Sequence, residues 1–230
     1  MDLLKLFTLT KALLFIFSKD SSILRFIIKN FKDSNSQIFQ DLFALYFSKK
    51  KTKGFFIEIG VGNGITLSNT YFLEKNKKWK GILCEADSRM LKIIKQNRKA
   101  KLIAYPISDK CEKKFKFFEN IQIAYESSSK KIPGSKLNIT KSICLNHLLK
   151  KNKVPKFIDY VSIDTEGTEY NIIKNFDFSK WKIKTITIEH NFNKKFRDKI
   201  FNLLTRNNYY RVCKNISYMD DWYVLNEIKN

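Results

Sequence analysis

The sequence predicts a doubly wound α/β domain, a mostly parallel sheet with helices on both faces. Three observations carry this. Six short strand-like runs alternate with five helix-like runs along residues 54–213, the pattern of strands joined by helical crossovers. The first strand-like run enters a turn with glycines at alternate positions, FFIEIGVGNG, residues 55–64. The second ends in a carboxylate, Glu85, 27 residues after Glu58.

The chain of 230 residues suits one core with a short appendage, and 43% hydrophobic residues exclude a disordered or fibrous protein. The 44 basic against 22 acidic residues give a formal charge of +22. Of the basic residues only six are Arg, and the Lys are spread along the whole chain. That reads as compositional bias rather than a dedicated polyanion surface, although a diffuse positive field favours anionic ligands or an anionic membrane face.

In chain order, Leu3–Phe17 is apolar but interrupted by Lys5 and Lys11, and it is too short to span a bilayer. Leu3, Leu6, Leu13 and Phe17 recur at roughly helical spacing, as do Ile23, Phe26, Ile27 and Phe31. Residues 1–31 therefore read as two helices, packed on the domain or resting on the inner membrane face. Gln37–Phe47 is a further amphipathic helix, whose Gln40 and Asp41 either cover a ligand or face solvent, and the N-terminal helical segment closes at residue 50. Strands are expected at Gly54–Ile59, Gly81–Cys84, Leu102–Tyr105, Phe157–Ile163, Ile183–Ile188 and Tyr209–Cys213. Helices are expected at Leu67–Lys75, Ser88–Lys99, Ile143–Lys151, Glu169–Phe176 and Asn193–Asn207. Phe115–Tyr125 suggests an extra hairpin, and Tyr218–Asn226 a last strand returning antiparallel at the edge. Cys84, Cys111, Cys144 and Cys213 lie far apart, which reads as four reduced core thiols and a cytoplasmic protein.

The glycine turn places a ligand where strand order reverses, because glycine admits the unusual dihedrals and a close backbone approach. Its spacing differs from the phosphate-cradling G-x-G-x-x-G and suits a cationic, phosphate-free ligand. Glu85 is placed to accept hydrogen bonds from ribose hydroxyls. Ser108 and Asp109 close the third strand, where an adenine amino group would lie. Asp164 ends the fourth strand and Glu189-His190-Asn191 the fifth, so both strand ends face the same point.

These segments resemble the FkbM family of S-adenosylmethionine-dependent methyltransferases. The likeness runs from about Ser36 to Asn226 through SQIFQD (36–41), GFFIEIGVGNGITLSNTYFLE (54–74), WKGILCEAD (79–87), DYVSIDTEGTEY (159–170), ITIEHN (186–191) and DDWYV (220–224). IDTEGTE and LSNT are its specific parts; Asn63 is a mild departure, and residues 1–31 lie outside it. The resemblance implies a Rossmann-like class I methyltransferase domain over residues 51–230. Its sheet would be mostly parallel and seven-stranded, with an antiparallel C-terminal edge strand. It implies S-adenosylmethionine held by Glu58, Gly60, Gly62, Asn63, Gly64, Ser68, Asn69, Glu85, Ala86, Ser108, Asp109 and Asp164. It further implies O-methylation, often of sugars in surface glycans. A sugar hydroxyl is a weak acid, so a base or a metal is needed beside the methyl group. His190, Asp164 or Glu166 are the candidates for general base. Alternatively Asp164 and Glu189, with Asn191, hold a divalent cation such as magnesium.

The expected partner is a nucleotide-linked sugar or glycan rather than nucleic acid, with peripheral membrane contact through residues 1–31 and a homo-oligomer left open. RNA methylation, suggested by the charge, is the alternative, but Asp164-Thr165-Glu166-Gly167 replaces the Pro-containing turn that grips a flat base. A non-catalytic membrane-associated scaffold of the same fold is the third reading.

Overall fold

The computed structural model describes residues 3–16, 20–112, 114–119, 124–126 and 136–226. Two helices, α1 (Leu3–Leu14) and α2 (Ser21–Asn30), precede α3 (Gln40–Phe47). The sheet then starts with β1 (Phe55–Ile59), α4 (Tyr71–Lys77), β2 (Lys80–Cys84), α5 (Ser88–Asn97) and β3 (Lys101–Ile103). An inserted three-stranded antiparallel sheet follows: β4 (Lys114–Glu119), β5 (Ala124–Glu126) and β6 (Lys136–Lys141), in the order β5-β4-β6. It contains the expected hairpin and one strand more. The chain returns through α6 (Leu145–Lys151), β7 (Phe157–Ile163), α7 (Glu169–Ile173), β8 (Lys182–Glu189) and α8 (Lys194–Arg206). It ends with β9 (Tyr209–Val212) and β10 (Asp220–Leu225).

The main sheet has seven strands in the order β3-β2-β1-β7-β8-β10-β9. All pairings from β3 to β8 are parallel, and β10 runs antiparallel to both β8 and β9. The last strand thus slips between its two predecessors in that edge pair. Strand order reverses between β1 and β7, which opens a crevice at their carboxyl ends.

Side chains of β1 alternate between the two faces, as strand geometry requires. Phe56 joins a core with Leu9, Ile27, Phe43 and Trp222, while Ile57 and Ile59 join another with Leu148, Ile172 and Leu204. The N-terminal helices therefore share a core with the sheet. Asp87 and Asn193 cap α5 and α8 by accepting the amides of Arg89 and Phe196, and both caps stand beside the expected helix starts. The helix expected from Leu67 begins only at Tyr71, because Ser68–Thr70 is drawn onto a buried carboxylate described below. α3 is buried along Gln40–Leu45, so neither Gln40 nor Asp41 faces solvent. Asp41 accepts the Ser34 hydroxyl at 2.6 Å, the Ser36 hydroxyl at 2.7 Å and the Asn35 amide at 2.8 Å.

The four cysteines are not all reduced core thiols, contrary to expectation. Cys111 and Cys144 form a disulfide, with Cα atoms 4.7 Å apart, while Cys84 and Cys213 are free and buried. Their separation of 33 residues hid a contact that a bridge between Ile107 and Ile143 creates. The thiol pattern therefore no longer supports a cytoplasmic location. Among the described residues, no helix is long and apolar enough to cross a membrane.

Candidate active site at the ends of β1, β2, β7 and β8

The glycine turn leaves β1 at the point of strand reversal. Gly60 donates its amide to the Cys84 carbonyl at 3.0 Å, and the Asp164 amide donates to the Ile59 carbonyl at 2.9 Å. Gly60 has φ +84, and a Cβ there would lie 1.6 Å from the Asp164 carbonyl oxygen. Gly60→Ala is therefore expected to destabilise the fold by at least about 1–3 kcal/mol from backbone strain alone, with the clash in addition. A urea melt shifted by less than that would contradict the packing described. Gly62, at φ +58, has nothing within 4 Å of its Cβ position, so the open side of the turn is here.

Glu85 is 7% exposed and lies beneath the turn. One carboxylate oxygen accepts the Val61 and Gly62 amides at 3.0 and 2.7 Å, and the other accepts the Asp87 amide at 2.8 Å. A carboxylate offers about four acceptor positions, so about one is left for a ribose hydroxyl rather than the pair expected. Ala86 is half-buried just beyond it. Asn63 shapes the turn, accepting the Ile65 and Thr66 amides at 2.9 and 2.8 Å. Gly64 gives its carbonyl to Arg98.

Glu58 and Ser68 are not free to hold a ligand. Glu58 is 2% exposed and accepts the Ser68 hydroxyl, the Asn69 amide at 2.7 Å and the Thr70 hydroxyl at 2.5 Å. Arg98 stands 3.7 Å away as counter-charge, and it also bonds Glu74, Gly64, Ser68 and Thr70. The apparent cofactor acid is thus the anchor of the LSNT loop. Asn69 donates to Ser162 at 2.9 Å, and its carbonyl oxygen finds no partner. Of the third-strand residues, Ser108 is buried and its amide donates to the Ile143 carbonyl. Asp109 pairs with Lys174 at 2.6 Å, which holds its carboxyl below the usual range and competes with an adenine.

Asp164, Glu166 and Glu189 converge, with one carboxylate oxygen of each within 4.8 Å of the others. Glu189 is 7% exposed, and its Oε2 has no hydrogen bond. Asp220 stands opposite Glu189 in the sheet register and accepts the Gln40 amide at 2.9 Å. Asn191 donates to Glu166 at 3.2 Å. Glu169 is different: it accepts the Thr165 and Gly167 amides at 2.8 and 2.9 Å and so braces the turn. Glu166, Asn191 and Phe192 all hold positive φ, backbone cost of the kind found where a site fixes geometry. No Lys or Arg pairs with Asp164, Glu166, Glu189 or Asp220 among the described residues.

Burial, and then the neighbouring acids, push Asp164 well above the usual carboxylate range and Glu189 up to about 8. Asp220 rises to about 7, mainly through burial. The folded protein then binds protons that the unfolded chain releases above its ordinary carboxylate values. This stability is fully present below about pH 4 and is lost as pH rises through about 8. In chelator, the melting temperature is expected to fall between pH 5 and pH 8, and more shallowly in Glu189→Gln. Parallel curves would contradict the crowding.

His190 does not join this cluster, which corrects its assignment as general base. It directly follows the last residue of β8 and lies on the opposite face from Glu189, beside Asp221. Its Nδ1 accepts the Phe192 amide at 3.1 Å, and Nε2 lies 3.8 Å from Asp221, which Arg197 and Arg211 hold. Burial lowers its pKa, against the pull of Asp221. Sequence reasoning passed over Arg98 and gave Asp220 no role. A signal existed for the arginine: in a Lys-rich chain, Arg89, Arg98, Arg197 and Arg211 all bond carboxylates, where the planar fork outperforms an ammonium. A groove lined by Tyr46, Lys49, Lys184 and Tyr210 opens at the opposite end of the sheet and contains no acid.

The sheet order and the paired strand exits are those of a class I methyltransferase. Residues 58–212, more than half of the chain, match the methyltransferase FkbM domain, and the chain belongs to that family. No curated protein matches it. Among solved structures it is similar to precorrin-6y C5,15-methyltransferase from Geobacter metallireducens GS-15. That match has 10% identity and a TM-score of 0.44 over 80% of this chain and 84% of the other. It is also similar to the plantazolicin methyltransferase BpumL in complex with SAH, at 13% identity and a TM-score of 0.42 over 97% and 98%. The methyltransferase domain of METTL16 matches at 12% identity and a TM-score of 0.47 over 79% and 63%.

Proposed function

We propose that this methyltransferase uses S-adenosylmethionine to methylate a hydroxyl of a sugar, on a nucleotide-linked or lipid-linked acceptor of surface polysaccharide. The observation that carries the reading is the acid cluster. In a chain with 44 basic residues, four acids gather beside the cofactor turn without a basic partner among the described residues. Such a site favours a cation and can take a proton, and it repels a phosphate backbone. When bound, S-adenosylmethionine supplies an electrophilic methyl group on a positively charged sulfur. The open side at Gly62 and the remaining acceptor of Glu85 would meet its ribose, and Asn69 offers an unpaired carbonyl to a donor. Asp164 or Glu166 would accept the hydroxyl proton; burial raises the basicity of both, and repulsion adds to it, from Glu189 and Asp220 at Asp164 and from Glu169 at Glu166. Positioning of the acceptor oxygen supplies much of the rate.

The orphan Oε2 of Glu189 favours a second reading of the same cluster. Asp164, Glu166 and Glu189 form a hard oxygen set that would suit magnesium, which would lower the pKa of the acceptor hydroxyl.

Calorimetry with S-adenosylhomocysteine tests the cofactor, and absence of binding would sink the enzymatic reading. Methyl uptake from labelled S-adenosylmethionine is then measured on nucleotide sugars and on RNA, with chelator or magnesium. Uptake into RNA alone would reject the sugar. Activity indifferent to chelation and magnesium would reject the metal.

A further inference from the structure

Helix α1 is apolar over more of its surface than the fold covers. Thr8, Leu9 and Ala12 are buried, but Leu3 is 83% and Leu14 74% exposed, and Leu6, Phe7, Leu13 and Phe15 are exposed with them. This face continues to the lip of the acid cluster. Phe7 meets Tyr218 edge-on at 5.7 Å, and Tyr218 meets Phe192 at 4.9 Å. Phe192 follows Asn191, the residue that donates to Glu166. Two residues before Phe7, Lys5 donates to the Ser34 carbonyl at 3.0 Å, and nearby Ser36 pairs with Leu67 in the loop that follows the glycine turn. Leu67, Phe192 and Tyr218 are themselves 44%, 60% and 40% exposed. Exposed apolar side chains thus lead to the edge of a site whose floor is acidic.

Charge decides what covers this face. A second copy would bring +22 against +22, whereas an anionic bilayer attracts the same field. Lys11 lies 4.7 Å over the Phe7 ring, an ammonium at the edge of an apolar strip, as interfacial helices arrange them. At 12 residues and about 1.5 Å per residue, α1 is too short to span a bilayer and long enough to lie in its surface.

We infer that α1, Tyr218 and Phe192 form a docking surface for an anionic lipid bilayer, so that the acid cluster meets an acceptor hydroxyl carried at headgroup level. The acceptor half of this inference rests on the proposed methyl-transfer site; the docking half does not.

The full chain and a Leu3→Ser/Leu14→Ser variant are sedimented with two kinds of vesicle, equal parts phosphatidylglycerol and phosphatidylcholine, or phosphatidylcholine alone. Both side chains are largely exposed, so the variant should melt at the wild-type temperature. Expected are wild-type binding to the anionic vesicles, at least tenfold weaker binding without phosphatidylglycerol, and about tenfold or greater loss in the variant. Equal binding by variant and wild type, or no binding by either, would overturn the surface. So would ultracentrifugation showing a wild-type dimer that the variant dissolves while neither binds vesicles. Vesicle binding that follows this pattern without any affinity for S-adenosylhomocysteine would uphold the surface and defeat the methyltransferase mechanism, so the two failures are distinct.

Discussion

Asp164→Asn is expected to lower the rate of methyl transfer by about 10²–10⁴-fold while raising thermal stability. Both effects come from one arrangement. Asp164 directly follows β7 at the point of strand reversal, and its carboxylate shares a small volume with Glu166 and Glu189. Burial first, and then Glu189 and Asp220, push its pKa well up. A neutral amide removes that repulsion, so the fold gains what the site loses. In the proposed mechanism it also removes the acceptor for the hydroxyl proton. Single-turnover kinetics at saturating cofactor, together with a urea melt, would check both signs. An Asn variant that is less stable, or as active as wild type, would show that Asp164 serves packing rather than proton transfer.

Arg98→Met should destabilise the protein by about 3–5 kcal/mol. The Arg98 side chain is fully buried, with Glu58 and Glu74 as its carboxylate partners. Methionine fills similar volume but leaves Glu58 buried without its counter-charge, next to three hydroxyl and amide donors that depend on it. The loss reaches the glycine turn, because Arg98 also holds the Gly64 carbonyl at 2.9 Å. Adding Glu58→Gln should recover part of the stability, since the stranded charge disappears with its partner. Denaturant melts of both single variants and the double variant form the cycle. Additive losses would mean that the two residues act independently.

The strands of the main sheet and the starts of α5 and α8 were legible because they depend on short-range rules of periodicity. The glycine turn was legible too, since positive φ at Gly60, Gly62 and Gly64 has few other solutions. Roles within the site were harder to read. Glu58 and Glu85 are both acids at strand ends in the sequence. One proves to be sealed under the LSNT loop and the other sits beneath the turn with an acceptor to spare. His190 and Glu189 are adjacent, and strand alternation alone separates their faces; which face meets Asp164 depends on how β8 lies against β7 and β10. Cys111 and Cys144 gave no local sign of their disulfide, because a 33-residue separation is closed only in the fold, by the Ile107–Ile143 bridge on one side and the Lys114–Lys141 pairing of β4 with β6 on the other.

The sequence by itself determined the alternation of strands and helices, the turn at residues 60–64 and the family motifs, all of which are written in spacings shorter than about 30 residues. Tertiary structure alone decided which carboxylates are structural and which converge without a counter-ion among the described residues. It also decided that α1 leaves an apolar face beside them. The physical reason is that charge and desolvation depend on distance in space. Asp164, Glu189 and Asp220 become one electrostatic unit only when strand order places β7, β8 and β10 side by side.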